Sequence, residues 1–279
     1  MAKDLVAVVG VGVMGVGIAR MCLEAGYRVA LADRSPTVLD DALGSLSRLD
    51  PHYPSLIAAA PLVEAVDQAA LVIDATPQLV DAKADLLRQI GEIADADTLI
   101  GTVSVATPLQ VLDPGGALTA RLIGLHFMNP PHRLRLCEVV VRDGVDRHAL
   151  DRATTFLADL SVTAIEVADT PAFVLNRIFV PFLLDAVRVL ERGQASAADI
   201  DLAFTKGCGH PMGPLRILDL LGIEVSLRSA IELHEAYPDD PRFEPPQLLR
   251  RMAERGERFH PAPKGRGRAR RRADDQLDW

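Results

Sequence analysis

Apolar runs and amphipathic stretches alternate along the first 168 residues, and then the alternation ends. "LVAVV" (5–9) is short, continuous and Val-rich, the pattern of a strand buried on both faces. A glycine turn follows, then a helix over about 13–25 with Met14, Ile18 and Cys22 on one face, stopped by Gly26. "RVALAD" (28–33), "ALVIDAT" (70–76), "TLIGTV" (98–103), "RLIGLHF" (121–127), "CEVVV" (137–141) and "TAIEVA" (163–168) read as further strands, with helices over 81–94 and 146–160. Strand–helix alternation of this kind predicts a mainly parallel sheet covered on both faces. Beyond "ADTP" (168–171) long helical patterns take over, roughly 172–192, 196–206, 214–236 and 245–256. Pro171 suits a helix start, and Ser196 with Asp199 resembles a capping box. The expected organisation is an α/β Rossmann-type domain over 1–168, an all-α domain over 169–262 and a charged, disordered tail over 263–279.

The turn after the first strand carries Gly10-Val-Gly12-Val13-Met14-Gly15, and Asp33 ends the next strand 18 residues later. Alone a GxGxxG pattern is weak; between a strand and a helix, with an acidic residue at that distance, it is a dinucleotide fingerprint. Gly10 permits the tight turn, Gly12 lets a diphosphate approach the backbone, and Gly15 lets helix and strand pack closely. The N–H groups of the first helical turn, at Val13 and Met14, face the phosphates. Asp33 is placed to accept from ribose hydroxyls and to repel a 2′-phosphate. NAD is therefore expected over NADP, a preference that neighbouring Arg34 softens.

Composition narrows the picture. A chain of 279 residues with 49% hydrophobic content suits two domains. Its net charge of −8 argues against nucleic acid or an anionic membrane as partner. Cys22, Cys137 and Cys208 are scattered, so neither a disulfide framework nor a metal site is expected, and a cytoplasmic location is the simplest reading. The uncharged run 5–19 lacks the basic start of a signal peptide and is too short and glycine-rich for a membrane span.

"GLHFMNPPHRLRLCEVVV" (124–141) places one histidine and one glutamate in apolar strands. Burying a lone carboxylate is costly, so Glu138 needs water or a partner. His126, at the end of the preceding strand, is the nearest candidate. A histidine beside a dinucleotide site suits a general base that takes the proton of an alcohol, and a carboxylate on its other nitrogen would fix the tautomer.

These blocks resemble the 3-hydroxyacyl-CoA dehydrogenase family, including the bacterial 3-hydroxybutyryl-CoA dehydrogenases. The family's "HFFNP" reads "HFMNP" here, with Glu138 twelve residues after His126. "DTPAFVLNR" (169–177), "ERGQASAADID" (191–201) and "GHPMGP" (209–214) match three further blocks, so the likeness spans about 5–256. It implies NAD as cofactor, an (S)-3-hydroxyacyl thioester as substrate and a homodimer through the helical domain. Position by position, it makes His126 the base, Glu138 its support, Asn176 a hydrogen-bonding group near the substrate oxygen and Thr107 the hydroxyl beside the reacting alcohol. Gln78, Lys83 and Lys264 fall on cofactor-contacting positions.

Four departures bear on the substrate. The stretch 41–65, with Pro51, Pro54 and Pro61, is too short for the helical hairpin that helps the family hold coenzyme A. "SNTS" reads "SVAT" (104–107), an acidic residue near the nicotinamide reads Gln78, and the ending is "KGRGRARRR". These changes raise a second reading: the acyl group, glyceryl-like in relatives that serve polyketide extender-unit biosynthesis, rides on an acyl carrier protein. Two rivals remain at this stage. The 6-phosphogluconate-type dehydrogenases share the glycine loop and rely on a lysine followed four residues later by asparagine, which "KGCGHP" after Thr205 lacks. A non-catalytic NAD-binding protein is the other.

Overall fold

A computed structural model of the chain describes residues 4–53 and 57–261; the expectations for Pro54, Lys264 and the segment 263–279 lie outside them. The described residues divide into two compact units between Phe173 and Val174, past the boundary at 168 read from the sequence.

The first unit contains a single sheet. Its strands are β1 Leu5–Val9, β2 Arg28–Ala32, β3 Ile57–Ala59, β4 Leu71–Asp74, β5 Leu99–Val103, β6 Leu122–Phe127, β7 Leu136–Val141 and β8 Thr163–Ala168. Their spatial order is β3-β2-β1-β4-β5-β6-β7-β8. Neighbours run parallel except β6 and β7, which are antiparallel. The helices are α1 Val13–Glu24, α2 Pro36–Ser47, α3 Leu62–Asp67, α4 Val80–Ile93, α5 Leu109–Leu112, α6 Pro131–Leu134 and α7 Arg147–Asp159.

Side-chain alternation along the strands splits the core into two layers. Val6 and Val8 of β1 join Ile18, Met21 and Cys22 of α1 and Leu157 of α7 on one face. Ala7 and Val9 join Leu87 and Ile90 of α4 on the other. Helices α1 and α4 thus leave adjacent strands β1 and β4 toward opposite faces, which opens a crevice at the carboxyl ends of those strands. That is where a doubly wound sheet binds its ligand.

The second unit is helical: α8 Leu175–Glu191, α9 Ala197–Leu202, α10 Pro214–Leu221, α11 Ile223–Ala236 and α12 Gln247–Arg255. Its core gathers Leu183, Leu184 and Val187 of α8 with Ile200, Leu215, Leu218, Ala230, Leu249 and Met252. The single helix expected over 214–236 is instead two, because Gly222 at φ 98° turns the chain between them. The pattern over 196–206 ends in a π-helical turn over 203–207. The sequence reading omitted α2, whose start is marked by Ser35 accepting from the Val38 N–H and by Pro36. Only Ala42 and Leu46 of α2 are buried, so its apolar stripe is thin. No helix among the described residues is long and apolar enough to cross a membrane.

Candidate active site

The glycine turn has the geometry its spacing implies. Gly10 sits at φ 87°, and a Cβ there would come within 2.8 Å of the Thr76 nitrogen. A Cβ on Gly15 would overlap the Gly10 carbonyl oxygen, so α1 can follow β1 this closely only with glycine. Gly12 differs: it is exposed, and a Cβ would meet nothing within 4 Å. The space above Gly12 and the first turn of α1 is therefore open. No side chain caps that turn and no acidic residue lies in it, so its N–H groups and the favourable end of the helix dipole are open to an anion. Asp33 follows β2 and accepts from the Val11 N–H at 3.0 Å and the Ser35 N–H at 2.9 Å, which ties the glycine turn to the end of β2. Arg34 beside it is exposed. This arrangement fits the diphosphate and adenosine ribose of a dinucleotide.

On the other side of the crevice a buried network underlies the turn. Asp74 ends β4 and is 0% exposed. It accepts from the Thr76 hydroxyl at 2.5 Å and the Thr102 hydroxyl at 2.8 Å, and pairs with the Lys83 ammonium at 2.8 Å. Lys83, expected to contact the cofactor, is 1% exposed; its ammonium also donates to the Thr76 carbonyl at 3.2 Å. Burial pushes that ammonium below its ordinary range, and the Asp74 carboxylate opposes the shift. Lys83 thus supports the segment against which Gly10 packs. Gln78 is exposed and spans to the next strand, its amide donating to the Val103 carbonyl at 2.9 Å. After β5, the Ser104 hydroxyl donates to the Thr107 carbonyl at 2.9 Å and accepts from the Thr107 N–H at 3.1 Å, closing the 104–107 turn. Val105 in that turn is 43% exposed.

The antiparallel pairing of β6 and β7 sets His126 directly opposite Glu138. Nδ1 of His126 lies 2.5 Å from Oε2 of Glu138, and both residues are buried. A carboxylate can only accept, so Nδ1–H donates and Nε2 is the nitrogen left to take up a proton. The Cys137 thiol, next in β7, is pushed well above its ordinary range by burial and then by the Glu138 charge, which keeps it protonated. The Phe173 ring flanks the imidazole at 5.6 Å between centroids.

Asn176 lies in the first turn of α8, in the second unit. Two groups escaped the sequence reading: Asp74, whose signal was a carboxylate closing an apolar strand, and Asp169, the acid of "DTP", which binds the N–H groups of Leu109 and Gln110.

A crevice of this form, with its glycine turn opening onto α1, defines a dinucleotide-binding domain. Comparison with known proteins narrows the class. Residues 5–170 match the NAD-binding domain of 3-hydroxyacyl-CoA dehydrogenase, and residues 173–266 match the C-terminal domain of that enzyme. A probable 3-hydroxyacyl-CoA dehydrogenase of Caenorhabditis elegans is 31% identical over 273 residues, covering 90% of this chain and 88% of the relative. A probable 3-hydroxybutyryl-CoA dehydrogenase of Deinococcus radiodurans is 31% identical over 265 residues, covering 89% and 94%. The crystal structure of (S)-3-hydroxybutyryl-CoA dehydrogenase from Ralstonia eutropha superposes with a TM-score of 0.85 at 28% identity, over 91% of this chain and 95% of that one. The chain belongs to the 3-hydroxyacyl-CoA dehydrogenase family, and its cofactor is NAD.

Proposed function

We propose that the protein catalyses the reversible oxidation of an (S)-3-hydroxyacyl thioester to the 3-oxo thioester, with His126 as general base and Glu138 as its support. The observation that carries this reading is the buried 2.5 Å bond between the two side chains, which leaves Nε2 to act. Bound NAD supplies the hydride acceptor for the substrate carbon. His126 Nε2 takes the proton of the 3-hydroxyl, and the imidazolium so formed is stabilised by the Glu138 carboxylate. In the reverse direction the same nitrogen returns the proton to the forming alcohol. Thr107 and Asn176 are assigned hydrogen bonds to the substrate oxygen. Gly10, Gly12, Gly15 and the first turn of α1 (Val13, Met14) are assigned to the diphosphate, Asp33 to the adenosine ribose, and Gln78 to the nicotinamide side. Lys83 acts by holding Asp74 and Thr76 beneath the turn. A homodimer through the helical unit is supported by the apolar surface of α8, where Ile178 is 67% exposed. The direct test is appearance of reduced cofactor with NAD and a panel of 3-hydroxyacyl thioesters. Turnover of none of them defeats the reading.

The finer reading, that an acyl carrier protein presents the substrate, draws on the region after β2. Only residues 48–56 join α2 to β3. Over 36–60 the chain carries Asp40, Asp41 and Asp50 against Arg48, a poor surface for the phosphates of free coenzyme A. One acyl group presented both on coenzyme A and on a carrier protein tests this. Equal catalytic efficiency on the two would exclude carrier preference.

A further inference from the structure

The block "DTPAF" (169–173) has a role that the reaction above does not use, and its geometry points to one. The Asp169 carboxylate takes two backbone donors sixty residues away, the Leu109 N–H on Oδ1 at 2.7 Å and the Gln110 N–H on Oδ2 at 3.0 Å. These are the first N–H groups of α5, whose own N-cap, Pro108, has no side-chain acceptor to offer. Three residues on, the Ala172 N–H donates to the Ala106 carbonyl at 3.0 Å. The loop 104–110 is thus held on one side by Ser104 and on the other by the 169–173 segment. That segment is itself anchored, the Asp169 N–H donating to the Val141 carbonyl at the end of β7 at 3.0 Å.

The far end of the segment reaches the imidazole. Ala172 and Phe173 are both buried and both in the left-handed region, at φ 63° and 55°. Neither is glycine, so the conformation is disfavoured and persists because its surroundings enforce it. It aims the Phe173 ring at His126. One five-residue segment therefore touches both the loop that displays Thr107 and the ring of His126.

We infer that residues 169–173 form a positioning strap in which Asp169 sets the place of Thr107 relative to His126, so that hydroxyl and imidazole meet the same substrate oxygen. The inference rests on the roles proposed above for those two residues. Asp169 is a positioning residue: both of its carboxylate oxygens are taken by the N–H groups of Leu109 and Gln110, and it acts through that backbone. A mere cap on α5 would change stability and leave the energetics of the reaction with Thr107 untouched.

A double-mutant cycle separates the two. Asp169→Ala, Asp169→Asn, Thr107→Ala and the doubles are compared for kcat with NAD and (S)-3-hydroxybutyryl-CoA, for NAD affinity by fluorescence titration and for melting temperature. Misplacing a group by about an ångström costs up to roughly a hundredfold, so Asp169→Ala should lower kcat by about tenfold or more while NAD affinity stays within about twofold. Asn retains one acceptor oxygen and should restore part of that loss. With Thr107 already Ala, replacing Asp169 should change kcat by less than about twofold, since the group it positions is gone. Should Asp169→Ala not fold, Asp169→Asn carries the same cycle. If Thr107→Ala lowers kcat while the Asp169 variants match the parent, or their effects simply multiply with it, the strap is refuted and the proposed reaction stands. If Thr107→Ala has no effect, the role of Thr107 fails and the strap falls with it.

Discussion

Replacing Glu138 by Gln keeps the side chain's shape and removes its charge. The bond to His126 Nδ1 is 2.5 Å long and Glu138 is 0% exposed, so little water screens the pair. In the proposed reaction the imidazole gains charge as it takes the substrate's proton, so the carboxylate's advantage over an amide is realised in the transition state. A hydrogen bond to a charged group contributes about 1.5–3 kcal/mol and a neutral one about 0.5–1.5. The difference of about 1–2 kcal/mol lowers kcat by roughly five- to thirtyfold. A second effect acts in the same direction. The Gln amide can donate to Nδ1, which moves the ring proton to Nε2 and disables the base. The corresponding change in a serine-protease triad costs about 10,000-fold in kcat, which sets the upper limit here. The assay is kcat from reduced-cofactor absorbance at saturating NAD and (S)-3-hydroxybutyryl-CoA, with a melting curve to show that the variant is folded. A folded variant with kcat within about threefold of the parent would refute the role given to the carboxylate.

Four further outcomes follow from the geometry. Gly12→Ala should leave the melting temperature nearly unchanged, since its Cβ meets nothing within 4 Å, while NAD affinity by titration falls. Gly15→Ala should instead destabilise the fold by about 1–3 kcal/mol in denaturant unfolding, because its Cβ overlaps the Gly10 carbonyl. Lys83→Met strands Asp74 without its cation and should cost about 3–5 kcal/mol in the same measurement, with the Asp74→Asn/Lys83→Met double less destabilised than the two singles combined. In thiol titration of the native protein near neutral pH, Cys208 should react quickly. Cys22 and Cys137, buried and pushed upward mainly by that burial, should react only on unfolding.

The glycine turn was legible because two of its glycines answer local constraints, a positive φ at Gly10 and a helix pressed against a strand at Gly15, while Gly12 leaves open space above the first turn of α1. The buried strands were legible because parallel strands covered on both faces read as unbroken apolar runs. The pairing of His126 with Glu138 could be suspected from the sequence but not fixed by it. A one-residue slip of β7 against β6 would send Glu138 to the opposite face. The inward turn of Lys83 was hidden for another reason. A lysine in the first turn of an amphipathic helix reads as solvent-facing until Asp74 is known to lie beneath it. Asp169 and Leu109 are sixty residues apart, and only folding brings that carboxylate to those N–H groups. Helix α2, with two buried residues, sits at the limit of what periodicity reveals.

The most direct measurement is His126→Gln, compared with the parent for NAD affinity and for kcat on (S)-3-hydroxybutyryl-CoA. If His126 is the base as proposed, its loss should lower kcat by about a hundred- to ten-thousandfold while NAD binding stays within about twofold. Turnover at the parental rate, with the cofactor bound as before, would contradict the account.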